Sequence, residues 1–373
     1  MAIINLFGDF KVGNCSNLEL KDGLAKKLGS ADLNVVNFEA PVSSNGKPIK
    51  KSGPNICQDA CSPEWLEKYG FNAVSFANNH MMDFGREGLE TSRNQFKSAI
   101  IMGAGTWEDA YKLHTFHTED GLRIGIICCT HCEFGTLTDK ETDSFGCAWA
   151  LSNEIIRLIS EGKSTVDFLI VYQHGGIEYM DQPLPEWREQ YKFWIDMGAD
   201  AVIASHPHVP QGWEFYKEKP ICYSLGNFCF NQLKNNVKTP AFWYESLCCS
   251  LKIEVPHRCQ MDILPLVFDP KSKYIRENND KEFLRHLDNI NDVLHNEDIY
   301  IGFVKESLKN KLTFYYGQFS RGGMVINPFS TGFIKGLVDG FMGRGFFGRH
   351  HAINNIRCES HRWAILRAIE NNF

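Results

Sequence analysis

Two histidines, His206 and His208, stand one residue apart at the end of a short apolar segment, residues 201–204. A four-residue apolar run bounded by turn residues predicts a buried strand. Pro207, between the histidines, fixes its own φ and favours an extended conformation at His206, so we expect the pair on a stiff loop. Imidazoles bind metals and transfer protons, and α/β proteins assemble their sites at the carboxyl ends of strands. The pair is therefore a candidate site if other strands deliver partners.

Four more predicted strands end in groups of the same kind. These strands cover residues 2–8, 33–36, 73–76 and 168–172. The polar side chains that follow them are Asp9, Glu39, Asn79, His80 and His174. Each alone has an ordinary structural explanation, such as a helix cap, a solvated acid or a core imidazole. Their coincidence at the ends of five strands predicts one shared site.

The residue types in this set indicate a divalent metal centre with mixed nitrogen and oxygen ligands. Imidazole with carboxylate favours Zn, Mn, Fe or Ni over Ca or Mg, and the absence of thiolate argues against a structural zinc site. Two ions about 3.5–4 Å apart could clamp an attacking hydroxide and a phosphoryl oxygen. We expect two divalent ions, of Mn, Zn or Fe, as the cofactor.

The elements that position these side chains alternate between strand and helix, which predicts α/β layers with right-handed crossovers. Residues 246–255 and 261–268 are typical of a hairpin. After Asp269 the chain becomes polar, and amphipathic helices are predicted over roughly 283–296, 299–313 and 355–371. We therefore predict a main domain over 1–270 and a small, mainly helical subdomain over 271–373.

Composition limits the classes of partner. The formal charge of −6 and the absence of a long Lys/Arg run argue against nucleic acid. The chain starts with a strand rather than a signal-like segment and has no long apolar run, which favours a cytoplasmic protein. The 13 cysteines are expected to be mostly reduced, buried thiols. The glycine-rich aromatic stretch 321–348 could contact a protein partner or a membrane surface, although packing within the subdomain is favoured.

The motifs, in their order, resemble the calcineurin-like metallophosphoesterase superfamily, and more closely the CapA family, which is named for poly-γ-glutamate and capsule biosynthesis. They are GD at 8–9, VVNFEAP at 35–41, VSFANNHMMDFGREGLE at 74–90, HGGIEY at 174–179, GADAVIASHPHVPQGWE at 198–214 and YSLGNFCF at 223–230. Together they extend over roughly residues 3–268, so the C-terminal part lies outside the resemblance.

The resemblance implies a sandwich of two mixed β-sheets flanked by helices, with the site at one sheet edge. The metal ligands it implies are Asp9, Glu39, Asn79, His174, His206 and His208. It makes His80 a proton donor beside the metals rather than a ligand. Asn37, Arg86 and Asn227 match motif positions, either lining the pocket or bracing loops.

Two departures from the family pattern stand out. The superfamily's first motif is Asp-x-His, but this chain has Lys11 at the position of that histidine. An ammonium group cannot ligate a metal, so Lys11 is expected to weaken one metal position or to contact a substrate phosphate. Members that work at the cell surface carry an N-terminal membrane anchor, and the sequence shows none here.

The sequence thus predicts a metal-dependent hydrolase of the CapA type, a phosphoesterase acting on a small molecule or polymer precursor in surface-polymer biosynthesis. Two alternatives stay open at this point. One is a metal-dependent amide or γ-glutamyl hydrolase, or an enzyme associated with a ligase. The other is a non-catalytic assembly subunit with a structural metal site.

Overall fold

The structure is a computed structural model that describes residues 1–42, 46–141, 143–231, 239–254, 258–321 and 345–370. Its strands are β1 Ala2–Lys11, β2 Glu19–Leu20, β3 Leu33–Phe38, β4 Ala73–Ser75, β5 Ile100–Met102, β6 Ala104–Thr106, β7 His114–His117, β8 Arg123–Thr130, β9 Thr136–Leu137, β10 Phe145–Ala148, β11 Phe168–His174, β12 Ala201–Ser205, β13 Trp213–Tyr216, β14 Lys219–Cys222, β15 Cys229–Phe230, β16 Glu245–Glu254, β17 Arg258–Asp269 and β18 Tyr274–Glu277. Its helices are α1 Asp22–Gly29, α2 Ser62–Lys68, α3 Gly85–Gln95, α4 Trp107–Ala110, α5 Asn153–Gly162, α6 Pro185–Asp196, α7 Lys281–Leu294, α8 Glu297–Arg321, α9 Gly345–Arg357 and α10 Glu359–Glu370.

Two mixed sheets form the centre of the molecule. The larger has the order β2-β18-β17-β16-β1-β3-β4-β5, with β15 also paired to β1. The smaller has the order β13-β14-β12-β11-β8-β7. In the first, β1, β3, β4 and β5 are parallel, and in the second β8, β11, β12 and β14 are parallel. Parallel neighbours end at the same edge of a sheet, so each sheet has one edge that gathers carboxyl ends.

Apolar residues between and outside the sheets define four layers. Between them lies a core with Leu6 from β1, Val35 from β3 and Ile170 from β11. The outer face of the larger sheet packs against α1, α2 and α3, and the outer face of the smaller one packs against α5 and α6. This arrangement confirms the predicted sandwich of two mixed sheets flanked by helices.

The helices after residue 270 pack into these same cores. Phe283, Leu287 and Ile290, spaced for one face of α7, are buried between the sheets. Tyr300 on α8 and Ile365 on α10 are buried with α5 and α6. Burial of one such side chain contributes roughly 1.5–3 kcal/mol, so these helices add substantially to the stability of the main body. The division at residue 270 stays a prediction, and the packing continues across it.

Several element boundaries differ from those predicted. The sequence of residues 220–230 is typical of one strand, but the structure has two, β14 and β15, because the chain turns at Gly226, whose φ is +68°. The single helix expected near 355–371 is two helices, α9 and α10, which meet at Cys358. Most of the glycine-rich stretch, residues 322–344, lies outside the described residues, so the prediction about its contacts stays a prediction.

The prediction that the cysteines are reduced is wrong for one pair. Cys15 and Cys61 form a disulfide that ties the loop after β1 to the start of α2. The other eleven are free thiols, nine of them buried. Within the described part of the chain, no helix is long and apolar enough to cross a membrane.

Candidate metal centre

The predicted strand-end residues meet at one place, where the carboxyl edges of the two sheets face each other. Asp9 and Glu39 come from β1 and from the end of β3 in the larger sheet. His174 ends β11, and His206 follows β12 in the smaller sheet. The approach of β1 to the loop before β15 is close because Gly8 has no side chain: a Cβ there would lie 1.8 Å from the carbonyl oxygen of Gly226.

Glu39, His174 and His206 form the most compact group in the centre. One ligand atom from each lies within 4.8 Å of the others, and all three residues are buried. His174 Nε2 is 3.0 Å from His206 Nδ1 and 3.6 Å from Glu39 Oε2. Such a buried set of two imidazoles and a carboxylate has the composition and spacing of a metal ligand group.

Asp9 links one further imidazole, that of His208, to this group. Its Oδ1 lies 3.4 Å from His174 Nδ1, and its Oδ2 lies 3.3 Å from His208 Nδ1. The Asn37 amide donates to Asp9 Oδ1 at 2.8 Å and to Glu39 Oε2 at 2.5 Å. The two carboxylates therefore converge on one buried amide, which fixes their positions relative to each other.

The backbone of the histidine pair is held in an uncommon conformation, and the expectation of an extended His206 is wrong. His206 has a φ of +103° and His208 a φ of +59°, in the region that non-glycine residues rarely adopt. The His206 N–H donates to Asp9 Oδ2 at 3.2 Å, which links this loop to β1. Backbone strain of this kind concentrates at functional sites, where the surrounding structure imposes it.

The two carboxylates have opposite electrostatic environments. Burial raises the pKa of Glu39 well above its usual value, and Asp9 raises it further. Burial also acts to raise the pKa of Asp9, but His174 and His208 outweigh it and lower that pKa strongly. Glu39 Oε1 is buried and has no hydrogen-bond partner among the described residues. A bound dication would satisfy that oxygen and offset the repulsion between the acids, so these residues fit a metal.

Asn79 borders the same group. Its Oδ1 lies 3.1 Å from His174 Nε2, and its Nδ2 donates to Glu133 Oε2 at 3.4 Å. The amide oxygen therefore faces the predicted ligands while the amide nitrogen faces away, as a ligand amide requires. Its role as a ligand stays a prediction.

His80 is placed beside the centre by a charged pair. Its Nδ1 lies 2.7 Å from Asp83 Oδ2 and 3.1 Å from Lys51 Nζ. Lys51 and Asp83 also form an ion pair, and both side chains are buried. The side chain of His80 is 12% exposed, which makes it more accessible than the ligand candidates around it. A carboxylate that fixes one ring nitrogen leaves the other available for proton transfer.

The remaining predicted site residues lie in different surroundings. Asn227 holds His208 in place through an Oδ1 to Nδ1 contact of 2.9 Å. Lys11 is buried, and its Nζ lies 5.7 Å from the centroid of the Phe230 ring, which contacts the ring of His208. Arg86 is not brought to the centre: it lies on α3, more than half exposed, and pairs with Glu90.

Sequence reasoning missed two sets of residues. Lys51 and Asp83 support His80 from a loop and from the start of a helix, and no spacing rule pointed to Lys51. His131 and Glu133 follow β8 and therefore carried the same strand-end signal that identified the other ligands. Together with Cys358 they form a second buried group whose ligand atoms lie within 4.8 Å of one another.

Comparisons with known proteins give relatives in capsule synthesis. The capsule biosynthesis protein CapA of Bacillus anthracis is 32% identical over 215 residues, which cover 55% of this chain and 52% of that protein. The PGA biosynthesis protein CapA of Bacillus subtilis strain 168 is 32% identical over 208 residues, which cover 54% of each. The chain thus matches about half the length of these curated relatives.

A solved structure, a putative 5'-nucleotidase from Staphylococcus aureus in complex with α-ketoglutarate, superimposes with a TM-score of 0.44 and 14% identity. It covers 78% of this chain and 58% of its own, and a TM-score of this size supports no inference about activity. Residues 16–232, more than half of the sequence, match the family described as bacterial capsule synthesis protein PGA_cap. The chain belongs to that family.

Proposed function

We propose that this protein is a metal-dependent hydrolase of the CapA type that cleaves a phosphoester in the biosynthesis of capsule or another surface polymer. The observation that carries the proposal is the buried group of Glu39, His174 and His206, with its unpartnered carboxylate oxygen. Three buried ligand-type side chains from three strands, one with an unsatisfied oxygen, are costly to fold unless something binds them.

The geometry supports two adjacent positions for divalent ions. Glu39, Asn79, His174 and His206 would hold one, and Asp9 and His208 would hold the other. Bound Mn, Zn or Fe supplies Lewis-acid activation of water and of a phosphoryl oxygen. Asn37 and Asn227 orient the carboxylates and His208, which is the usual task of residues that support metal ligands.

His80 is the proton donor in this proposal. Its Nδ1 contacts Asp83, and in the imidazolium form Nε2 carries the proton that passes to the leaving oxygen, which leaves a neutral imidazole. Lys51 lies against the same carboxylate, so the charge of Asp83 is balanced where it is buried. Lys11 is our candidate for a contact with the substrate. Asn227 is not, because it is buried and its amide group is bonded to His208 and to the Trp243 carbonyl. Arg86 is not, because its side chain pairs with Glu90 on the surface.

The substrate in this proposal is a small molecule or a polymer precursor rather than nucleic acid, which agrees with the net charge of −6. A protein partner or membrane surface at 321–348 is part of the same proposal. A cytoplasmic location is also part of the proposal. The Cys15–Cys61 disulfide argues against it, because disulfides are rare in reducing compartments. Trapping the thiol state of this pair in cells with an alkylating reagent tests the location.

Two other functions remain as outcomes of one experiment. The name of the Bacillus subtilis relative, a PGA biosynthesis protein, favours chemistry on an amide or γ-glutamyl bond at the same metals, in a hydrolase or a ligase-associated enzyme. The near-complete burial of the ligand candidates favours an assembly subunit whose metals are structural.

The experiment is a screen of metal-reconstituted protein against phosphoesters, nucleotides and γ-glutamyl peptides, with metal content measured on the same sample. We expect phosphoester cleavage that is lost in Glu39→Gln together with metal. Glu90→Gln, which removes an exposed carboxylate of α3, is the matched control and should keep both. Cleavage of γ-glutamyl peptides alone would indicate the amide or γ-glutamyl enzyme. Bound metal without any turnover would indicate the assembly subunit with structural metals.

A further inference from the structure

A second group of ligand-type residues lies next to the proposed centre but shares none of its ligands. It consists of His131 and Glu133 after β8 and Cys358 at the junction of α9 and α10, and we name it the His131–Cys358 cluster. All three residues are buried, and one ligand atom from each lies within 4.8 Å of the others. Their positions in the sequence are far apart, so the fold alone brings them together.

His131 is the member that most clearly lacks a partner. The residue is fully buried, and its Nε2 has no hydrogen-bond partner among the residues that the structure describes. Glu133 Oε1 is 3.5 Å from that nitrogen, and Cys358 Sγ lies 3.7 Å from Nδ1 of the same ring. A buried, unpaired imidazole nitrogen is costly, and a metal ion would satisfy it.

The other ring nitrogen is already fixed. His131 Nδ1 lies 3.0 Å from Ser360 Oγ, which also accepts a hydrogen bond from Trp187 Nε1 at 2.9 Å. A hydroxyl oxygen has two lone pairs and can accept from both. With Nδ1 donating to Ser360, Nε2 carries the free lone pair and faces Glu133. Metal-binding histidines are commonly oriented by such a hydrogen bond on the opposite nitrogen.

His361 lies beside the cluster and is our candidate for a fourth ligand. Cys358 and His361 are three residues apart where α10 begins, a spacing that places side chains on one helix face. His361 Nε2 is 3.9 Å from Glu133 Oε1, and its side chain is 22% exposed. The cluster is therefore closed by protein on one side and reachable from solvent on the side of His361.

We propose that the His131–Cys358 cluster, with His361, binds one Zn²⁺ ion. Two imidazoles, a carboxylate and a thiolate form a four-ligand set that suits tetrahedral zinc, and the thiolate separates this site from the sulfur-free centre beside it. The ion joins the loop after β8 to the start of α10 and so fastens the C-terminal helices to the sheet edge. The site borders the main centre, because the rings of His131 and His206 are 4.4 Å apart between centroids.

Cobalt substitution tests this site separately from the other. Full-length apo-protein is titrated with Co²⁺, and absorption is followed in the near ultraviolet, where a cobalt–thiolate bond gives a charge-transfer band. The main centre contains no cysteine and cannot produce that band. We expect the band in the parent chain, its displacement by Zn²⁺, and its loss in Cys358→Ser. Cys248→Ser, which removes a buried thiol from the opposite face of the larger sheet, should retain it.

Two further variants keep the test decisive. Glu39→Gln should lose metal from the main centre and retain the thiolate band. In Glu133→Gln, the Co²⁺ affinity measured from the charge-transfer band should fall by at least ~10-fold, since even residues that only support metal ligands contribute that much to metal affinity. The Glu133→Gln variant replaces Cys358→Ser as the test of the site if Cys358→Ser does not fold. Absence of the band in the parent, a band that survives Cys358→Ser, or unchanged affinity in Glu133→Gln would each overturn the proposal.

Discussion

His80 Nδ1 lies 2.7 Å from Oδ2 of Asp83, three residues further along the chain. Asp83 is fully buried and also pairs with Lys51, so its position is fixed from two directions. The imidazole cannot rotate without breaking this contact. The pair therefore sets the orientation of His80 and keeps a proton on Nδ1, so that the imidazolium form can release its other proton from Nε2.

Replacing His80 by Ala should reduce turnover of the phosphoester by about 10²–10⁴-fold, the usual contribution of a positioned acid or base. Metal content, measured by elemental analysis, should stay at the parent level because His80 is not among the ligands. Asp83→Asn should lower turnover and shift the pH profile while metal is retained. Loss of metal from His80→Ala would instead place His80 among the ligands.

The two metal positions should differ in affinity because Lys11 stands where the superfamily pattern has a histidine. Burial lowers the pKa of Lys11 to about 8, so at pH 7 its ammonium group is mostly charged and cannot ligate. Titration of apo-protein with Mn²⁺ should give one tight and one weak site. Lys11→His should strengthen the weak site. Two equally tight sites in the parent, unchanged by the substitution, would contradict this.

Stability should fall on mild acidification through His114, on β7 away from the metal centre. Burial, followed by the charge of Lys112, lowers the pKa of His114 to about 4 from its ordinary value of 6.5. Between these values the unfolded chain binds more protons than the folded one, so the free energy of unfolding falls as pH falls from 6.5 to 4. Urea unfolding at pH 7 and pH 5 should show a smaller loss for His114→Leu than for the parent.

His117→Leu is the matched control for this measurement, since His117 is an exposed histidine on the same strand. It should lose as much stability as the parent between the two pH values. A parent chain and a His114→Leu variant with the same pH dependence would show that His114 does not contribute.

The Cys15–Cys61 disulfide should contribute to stability, since it closes a loop of 46 residues in the unfolded chain. Replacing both cysteines by Ser should lower the free energy of unfolding by about 2–4 kcal/mol. Cys57→Ser, which changes a free thiol of the same segment, should have little effect. Equal stability of the double variant and the parent, in the absence of reductant, would show that the bond does not form in solution.

The strand-end residues could be predicted because their signal is local. Each follows a short apolar run. Parallel pairing of β3 with β4 then brings Glu39 and Asn79 to one edge of the larger sheet, and the packing of the two sheets places His174 opposite them. Arg86 could not be placed in the same way, since its direction depends on the rotation of α3, which the motif does not encode. Contacts between distant segments could not be predicted either. Lys51 contacts His80, and Cys15 bonds to Cys61, across stretches of sequence with no regular spacing. His131 was missed although its signal was present.

The central position of β1 has a consequence for synthesis on the ribosome. This strand is made long before its antiparallel neighbour β16, with which it pairs through contacts such as Ile3 with Lys252. A growing chain therefore carries an open strand edge next to Asp9 until β16 has been translated. Two helices that pack in the outer core of the smaller sheet, α8 and α10, emerge later still. We expect the metal centre to mature only after β16 has been translated, and a nascent chain to need protection of that edge until then.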